Sequence, residues 1–358
     1  MKVLIFAGGN GTRLWPVSRT ATPKQFQKLV GEKSLFEMTI DRIRKRYSYE
    51  DIYVVVPLIY KQTVKKLCPN LPIKNIIIEP YKWDTFACIG YAAFSLYTQF
   101  PHETLFMVWS DHVIEQEDHF MDIIDAGSTY AKKHDVLVKI GAKTTYPETN
   151  WGYIKYGKQI DEIGNIGIFS FEGHFEKPDY QTAKKFVESY EYLWNTGYMI
   201  WPMELLINSY KTYSPKAYKI LRTITDIQFS GDIEKEYKRL PKNSIDYEIL
   251  EHMKKSECVV IPADVGWNDV GDWASLKNQL EQTEEDIVLS GKAKNHISLE
   301  SKNIIMYSQD QKKFICLIGL DDIAVIDTKD VLLICSKKKS RDVKKIVEQL
   351  AEMHPELL

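Results

Sequence analysis

The strongest constraint on this chain lies in its first sixteen residues. Val3–Ala7 is a short apolar run, and it passes directly into Gly8-Gly9-Asn10-Gly11-Thr12-Arg13-Leu14-Trp15-Pro16, with Pro23-Lys24 downstream. A β-branched run of that length reads as a buried strand. Glycines right after a strand let backbone N–H groups approach phosphate oxygens, and cations close by add charge. Arg13 offers a planar fork for phosphate and Lys24 a point charge. Two familiar loops are excluded: no Lys follows Gly11 as a P-loop requires, and Leu14 stands where the dinucleotide fingerprint needs Gly. An ordinary strand-to-loop turn is the simpler reading of a lone glycine pair. Thr12, Arg13, Pro16 and Lys24 together favour phosphate.

The same texture continues. Ile52–Val56, Ile76–Ile78, Leu105–Val108 and Val136–Ile140 read as further strands, and Leu35–Arg46 and Cys88–Tyr97 have helical spacing. Strand-helix alternation predicts an α/β fold with a mixed, mostly parallel sheet covered on both faces. Ligands bind beyond the carboxyl ends of such strands, which singles out Gly8–Arg13 and Ser110-Asp111-His112. After about residue 283 the pattern changes. Ile304-Ile305-Met306, Phe314–Ile318, Ile323–Ile326 and Val331–Ile334 recur with only turns between them. They predict a small β module, a sandwich or a short left-handed β-helix, closed by a helix over Arg341–Met353. The expected division is 1–283 and 284–358.

Composition removes several function classes. The 358 residues carry 44% hydrophobic and 27% charged side chains, as expected of a soluble globular protein, and a formal net charge of -2. No global basic field exists to attract nucleic acid or anionic membrane. The five cysteines are scattered, without a C-x-x-C pair, which points to free thiols in a reducing compartment. No stretch approaches the ~18 apolar residues that cross a bilayer. The expectation is a cytoplasmic protein.

Gly9-Asn10-Gly11-Thr12-Arg13-Leu14-Trp15-Pro16-Val17-Ser18-Arg19 and Pro23-Lys24-Gln25-Phe26 resemble the opening signature of the mannose-1-phosphate guanylyltransferases. Further segments resemble that family in order: Phe175-Glu176-Lys177-Pro178, Trp194-Asn195-Thr196-Gly197, Ser244-Ile245-Asp246-Tyr247 and Gly266-Trp267-Asn268-Asp269-Val270-Gly271. Gly319–Thr328 resembles its C-terminal part. The resemblance implies a Rossmann-like nucleotidyltransferase domain and a reaction of GTP with mannose 1-phosphate that gives GDP-mannose and pyrophosphate. It implies Mg²⁺, small-molecule substrates and a homodimer. Another hexose 1-phosphate or base, or a non-catalytic sensor of sugar nucleotides, stays open.

That chemistry gives the residues roles. Two anions must react, so positioning and charge neutralisation dominate. The loop Ala7, Gly8, Gly9, Gly11, Thr12 and Arg13 would take the nucleotide, with Lys24 adding charge. Mg²⁺ is held by one or two carboxylates plus substrate phosphates. Asp111 and Asp269, in separate loops, are the candidates, and the resemblance assigns them that role. Each could equally cap a helix. Glu79 follows a strand; as an acceptor-only carboxylate it matches the neighbouring N1–H and N2–H₂ donors of guanine, unless it is simply a solvated strand end. The resemblance adds Thr85 and, as a near-isostere of Asn, Asp84 to the nucleotide set. Here the chain departs from the family: Trp83-Asp84-Thr85-Phe86-Ala87-Cys88 stands where relatives carry Arg-Asn-Thr-Ala-Pro-Ala. The resemblance assigns Lys177 to the sugar phosphate, and Glu176 and Asn195 to the sugar. Gly152 would let backbone approach the hexose, or simply open a strand. The eight histidines show no metal spacing and read as structural.

Overall fold

The structure, a computed structural model, describes residues 1–227, 232–280 and 287–358. The expected boundary at 283/284 lies outside the described residues. The chain forms two compact units, each assembled from separate stretches. Unit 1 is Met1–Phe6, Arg42–Trp109 and Glu115–Gly266; unit 2 is Ala7–Asp41, Ser110–Ile114 and Trp267–Leu358.

Unit 1 is built on nine strands: β1 (Lys2–Phe6), β2 (Ile52–Pro57), β3 (Ile76–Glu79), β4 (Thr104–Trp109), β5 (Leu137–Lys143), β6 (Tyr153–Ile163), β7 (Ile166–Phe175), β8 (Tyr192–Pro202) and β9 (Cys258–Ala263). Their order is β3-β2-β1-β4-β8-β5-β9-β7-β6. The mixed sheet expected from sequence is present. Strands β3, β2, β1 and β4 run parallel, and Val3, Leu4, Ile5, Val54 and Val56 are fully buried. Burial on both faces explains why these strands read as unbroken apolar runs. The sheet turns antiparallel at β8, which pairs with β4, β5 and β6.

The pairing of β5 with β8 is irregular. Their register shifts between Lys139 and Gly141. The Ile140 carbonyl there accepts the Thr196 hydroxyl at 2.6 Å. One residue on, Gly197 has φ +75°, and a Cβ added to it would lie 2.2 Å from Nε1 of Trp109. A bulge of this kind re-aims neighbouring side chains, here Asn195 and Lys139.

Unit 2 contains the β module. Strands β10 (Ile287–Gly291), β12 (Ile304–Ser308) and β14 (Ile323–Asp327) pair in parallel, as do β11 (Asn295–Leu299) and β13 (Phe314–Ile318). Strand β15 (Leu332–Ser336) runs antiparallel to β14. Two parallel ladders fed alternately by successive strands are the stacked coils of a β-helix. A helix follows at Val343–Met353. Ile305, Tyr307, Ala324 and Ile326 pack with Trp273, Leu14, Val17, Val113 and Val270 in one buried cluster. That cluster anchors the three loops that carry Arg13, Asp111 and Asp269, since an apolar neighbour of each belongs to it.

Gly197→Ala should therefore be costly. Left-handed backbone and a clash with Trp109 together are expected to cost about 2–4 kcal/mol, read as a lower denaturant midpoint, while Gly164→Ala, whose Cβ meets nothing within 4 Å, should cost less.

Candidate active site

In unit 2 the glycine loop is held by its carbonyls. The amide Nε2 of buried Gln25 donates to Ala7 O at 2.8 Å and Gly9 O at 3.0 Å. The Ser18 hydroxyl donates to Asn10 O at 2.7 Å. Gly11 has φ +58°, and a Cβ there would meet Lys24 Cβ at 2.7 Å and Ser18 Oγ at 2.9 Å. A glycine is required on both counts. Among the described residues, none accepts from the amides of Gly8 to Arg13, so these donors are left for an external acceptor such as an anion. The half-buried Arg13 guanidinium has no hydrogen-bond or ion-pair partner among the described residues.

Lys24 joins the loops. Its Nζ lies 2.9 Å from Asp111 Oδ2 and donates to the Asp269 carbonyl at 2.9 Å. Val113 and Asn268 exchange backbone hydrogen bonds of 2.8 and 3.0 Å, tying the Asp111 loop to the Asp269 loop. Burial works against the Asp111 charge, but Lys24 and His112 outweigh it and hold its carboxyl below the usual range. His112 Nδ1 accepts from Trp267 Nε1 at 3.1 Å. Neither aspartate caps a helix. The helix nearest Asp111 begins at Glu117, and Asp272 caps Trp273–Leu280, accepting from Ala274 N and Ser275 N. Asp269 Oδ1 accepts from Gly271 N at 3.0 Å. Among the described residues no three His, Cys, Asp or Glu side chains form a metal cage. A charged carboxylate beside a second aspartate fits a hard cation that takes its remaining ligands from substrate phosphates.

Unit 1 carries the other candidates. Glu79 is buried rather than a solvated strand end, and its Oε1 accepts the Tyr237 hydroxyl at 2.8 Å. Burial pushes its carboxyl up, against the Tyr237 hydrogen bond. Asp84 is the N-cap of the helix Thr85–Tyr97, with Oδ1 accepting from Thr85 N at 2.7 Å. The Thr85 hydroxyl accepts from Ile245 N at 3.1 Å.

Gly152, Glu176, Lys177 and Asn195 come together in the same unit. A Cβ on Gly152 would lie 2.4 Å from Glu176 Oε2, so the glycine makes room for that carboxylate. Asn195 N donates to Gly152 O at 2.8 Å. Lys177 adopts φ +47°, and its Nζ is 3.0 Å from Glu176 Oε1. Sequence reasoning gives no role to four side chains that the structure sets beside these candidates. Gln25 pins the glycine loop, Tyr237 holds Glu79, and Asp246 and His174 stand beside Glu176 and Asn195. Behind them lies Lys139, buried in β5. A lone lysine inside the apolar run Val136–Ile140 is the available signal, because lysine is almost never buried without a partner.

The family model described as nucleotidyl transferase matches residues 2–286, and one described as a MannoseP isomerase/GMP-like beta-helix domain matches residues 294–350. A mannose-1-phosphate guanylyltransferase of Escherichia coli is 32% identical over 357 residues, covering 97% of this chain and 75% of that protein. One from Salmonella muenchen is 34% identical over 355 residues, with 97% and 72% covered. Among solved structures, a Thermus thermophilus protein described as a mannose-1-phosphate geranyltransferase superposes with a TM-score of 0.87 at 25% identity, over 98% of this chain and 99% of that one.

The burial of Glu79 has a measurable consequence. A carboxyl raised in the folded state binds more protons than in the unfolded chain, so it subtracts stability as pH rises from the ordinary 4.5 through the raised value. Glu79→Gln removes the charge and leaves Tyr237 an acceptor. The variant's unfolding free energy relative to wild type should thus improve between about pH 4 and about pH 7.5 in denaturant titrations. A difference that stays flat or moves the other way contradicts the raised value.

Proposed function

We propose a mechanism from one premise: the chain belongs to the mannose-1-phosphate guanylyltransferases, within the nucleotidyl transferase family. It transfers a guanylyl group from GTP to α-D-mannose 1-phosphate, giving GDP-mannose and pyrophosphate. An oxygen of the sugar phosphate attacks the α-phosphorus in line. The new P–O bond forms as the bond to the bridging oxygen breaks, and pyrophosphate leaves with the electron pair. The attacking phosphate is ionised at neutral pH, so no general base is needed.

The observation that carries the reading is the bridge from Lys24 Nζ to Asp111 Oδ2 and Asp269 O, next to a glycine loop whose carbonyls are tied back. In this proposal the amides of Gly8, Gly9, Gly11 and Thr12, with Ala7 as the pinned base of the loop, receive the triphosphate. Arg13 and Lys24 neutralise its charge. Divalent metal use is general in the family, and we assign Mg²⁺ to Asp111 and Asp269. Held by these two carboxylates, such an ion would supply positive charge to offset that of the substrate phosphates. Glu79 offers guanine its acceptor capacity beyond the Tyr237 hydrogen bond, while Asp84 and Thr85 hold the adjoining turn. Lys177 takes the sugar phosphate, and Glu176 and Asn195 take sugar hydroxyls beside Gly152.

The proposed setting is the cytoplasm. All five cysteines are free, and no helix among the described residues is long and apolar enough to cross a membrane. A homodimer is the proposed assembly, supported by the exposed apolar side chains Ile297, Leu299, Phe314 and Ile318 on β11 and β13.

Two experiments test the assignments. Asp111→Asn and Asp269→Asn should each lower turnover by at least ~10²-fold, the scale of losing one preorganised electrostatic element, with the fold retained. Near-normal turnover in either variant removes that residue from the site. Lys177→Ala should raise KM for mannose 1-phosphate by about 10–100-fold and KM for GTP by less than about threefold; Arg13→Ala should show the reverse bias. Equal defects toward both substrates in Lys177→Ala would sink the sugar-phosphate role.

A further inference from the structure

Lys139 is 1% exposed in the middle of β5, beside the register shift. Among the described residues its ammonium has a single hydrogen-bond partner, Nδ1 of His174 at 3.3 Å, with the Phe171 ring centroid at 5.4 Å. A buried ammonium without a carboxylate in contact is expensive to keep. An ammonium only donates, so Nδ1 must accept, and a neutral ring then carries its proton on Nε2. That buried atom has no hydrogen-bond partner among the described residues; it faces Glu176 Oε2 at 3.4 Å and Asp246 Oδ1 at 3.6 Å. The two carboxylates lead onward. Glu176 Oε1 is 3.0 Å from Lys177 Nζ, and Asn195 Nδ2 donates to Asp246 Oδ1 at 3.4 Å. The imidazole packs against the space kept open at Gly152, where a Cβ would sit 3.3 Å from His174 Cε1.

We propose that Lys139 and His174 are positioning residues for the hexose phosphate: the buried ammonium fixes the imidazole tautomer, and the Nε2–H dipole, aimed between the Glu176 and Asp246 carboxylates, draws them into place for the bound sugar. The proposal rests on the assignment of Glu176, Lys177 and Asn195 to the sugar phosphate. It accounts for the position of a costly charge, because every polar contact from Lys139 ends on that set. Burial opposes the Glu176 charge, yet His174 and Lys177 beside it bring its carboxyl below the usual range, so it stays an acceptor for sugar hydroxyls. Burial also lowers Lys139, and Asp246, Cys258 and Glu176 act against that.

The test is the double variant Lys139→Met/His174→Phe. It deletes both polar partners at once and leaves no buried group unpaired, a kind of replacement that is often neutral for stability. We expect a cooperative melt within a few degrees of wild type, KM for mannose 1-phosphate raised about 5–20-fold, KM for GTP changed less than about twofold, and kcat within about threefold. His174→Gln retains an acceptor for Lys139 and a donor for the carboxylates, so its KM for mannose 1-phosphate should stay within about threefold of wild type. A folded double variant with unchanged KM for mannose 1-phosphate overturns the proposal, as does an equal rise in both constants. Loss of the fold would make the pair core support and overturn it too. Lys177→Ala is assayed alongside. If it moves KM for mannose 1-phosphate and the double variant does not, only the positioning role falls; if Lys177→Ala itself does nothing, the sugar-phosphate assignment falls.

Discussion

Much of unit 2 depends on one ammonium. Lys24 is nearly buried, and its Nζ lies 2.9 Å from both the Asp111 carboxylate and the Asp269 carbonyl. Its stem occupies the space that Gly11 leaves open. Three stretches distant in sequence therefore share one point of attachment. Lys24 is the first of the groups that offset the burial of Asp111, with His112 second, and the Lys24 stem fits there because Gly11 has no side chain. Gln25, the next residue, pins the loop by Ala7 O and Gly9 O. The signature Pro23-Lys24-Gln25 is thus a clamp on the glycine turn as much as a source of charge.

How much of this is legible in the sequence depends on where the physical signal sits. Strands β1 to β5 announce themselves because burial on both faces demands unbroken apolar runs. The parallel stacks of the β module are visible as short apolar pieces separated by turns. Strands β6 and β8 do not stand out as elements: β6 is partly exposed and shifts register against β7 more than once, and the buried β8 is interrupted by Asn195-Thr196-Gly197. Asp111 and Asp269 emerge from loop context, but composition does not separate them from helix caps. The structure does so by giving the cap to Asp272, which also pairs with Arg341 Nε at 2.9 Å. Glu79 is expected at a strand end and is there, yet its burial and its Tyr237 partner depend on a residue more than 150 positions away. No local pattern encodes that. Lys139 is equally hidden, because a single charge in an apolar run acquires meaning only when its partner on β7 is known.

The unit 1 candidates are arranged differently. Gly152, Glu176 and Asn195 are close because β6, β7 and β8 are neighbours, and the β5–β8 bulge turns the Asn195 segment. Asn195 lies within β8, and Gly152 and Glu176 directly flank β6 and β7, so paired strand ends set these groups. The exception is Lys177, just beyond the end of β7 in left-handed backbone and largely exposed.

The interleaving of the two units bears on the order in which the protein is made. Unit 2 needs Ala7–Asp41, Ser110–Ile114 and Trp267–Leu358, whereas the last strand of unit 1 ends at Ala263. At ~5–20 residues per second, the ribosome releases the glycine loop long before the residues that bury Leu14 and Val17 exist. The closing contacts of unit 2 join the start of the chain to its final third, and such non-local closure is slow. The loops that carry Arg13, Asp111 and Asp269 can therefore be joined only after Trp267–Leu358 has been made.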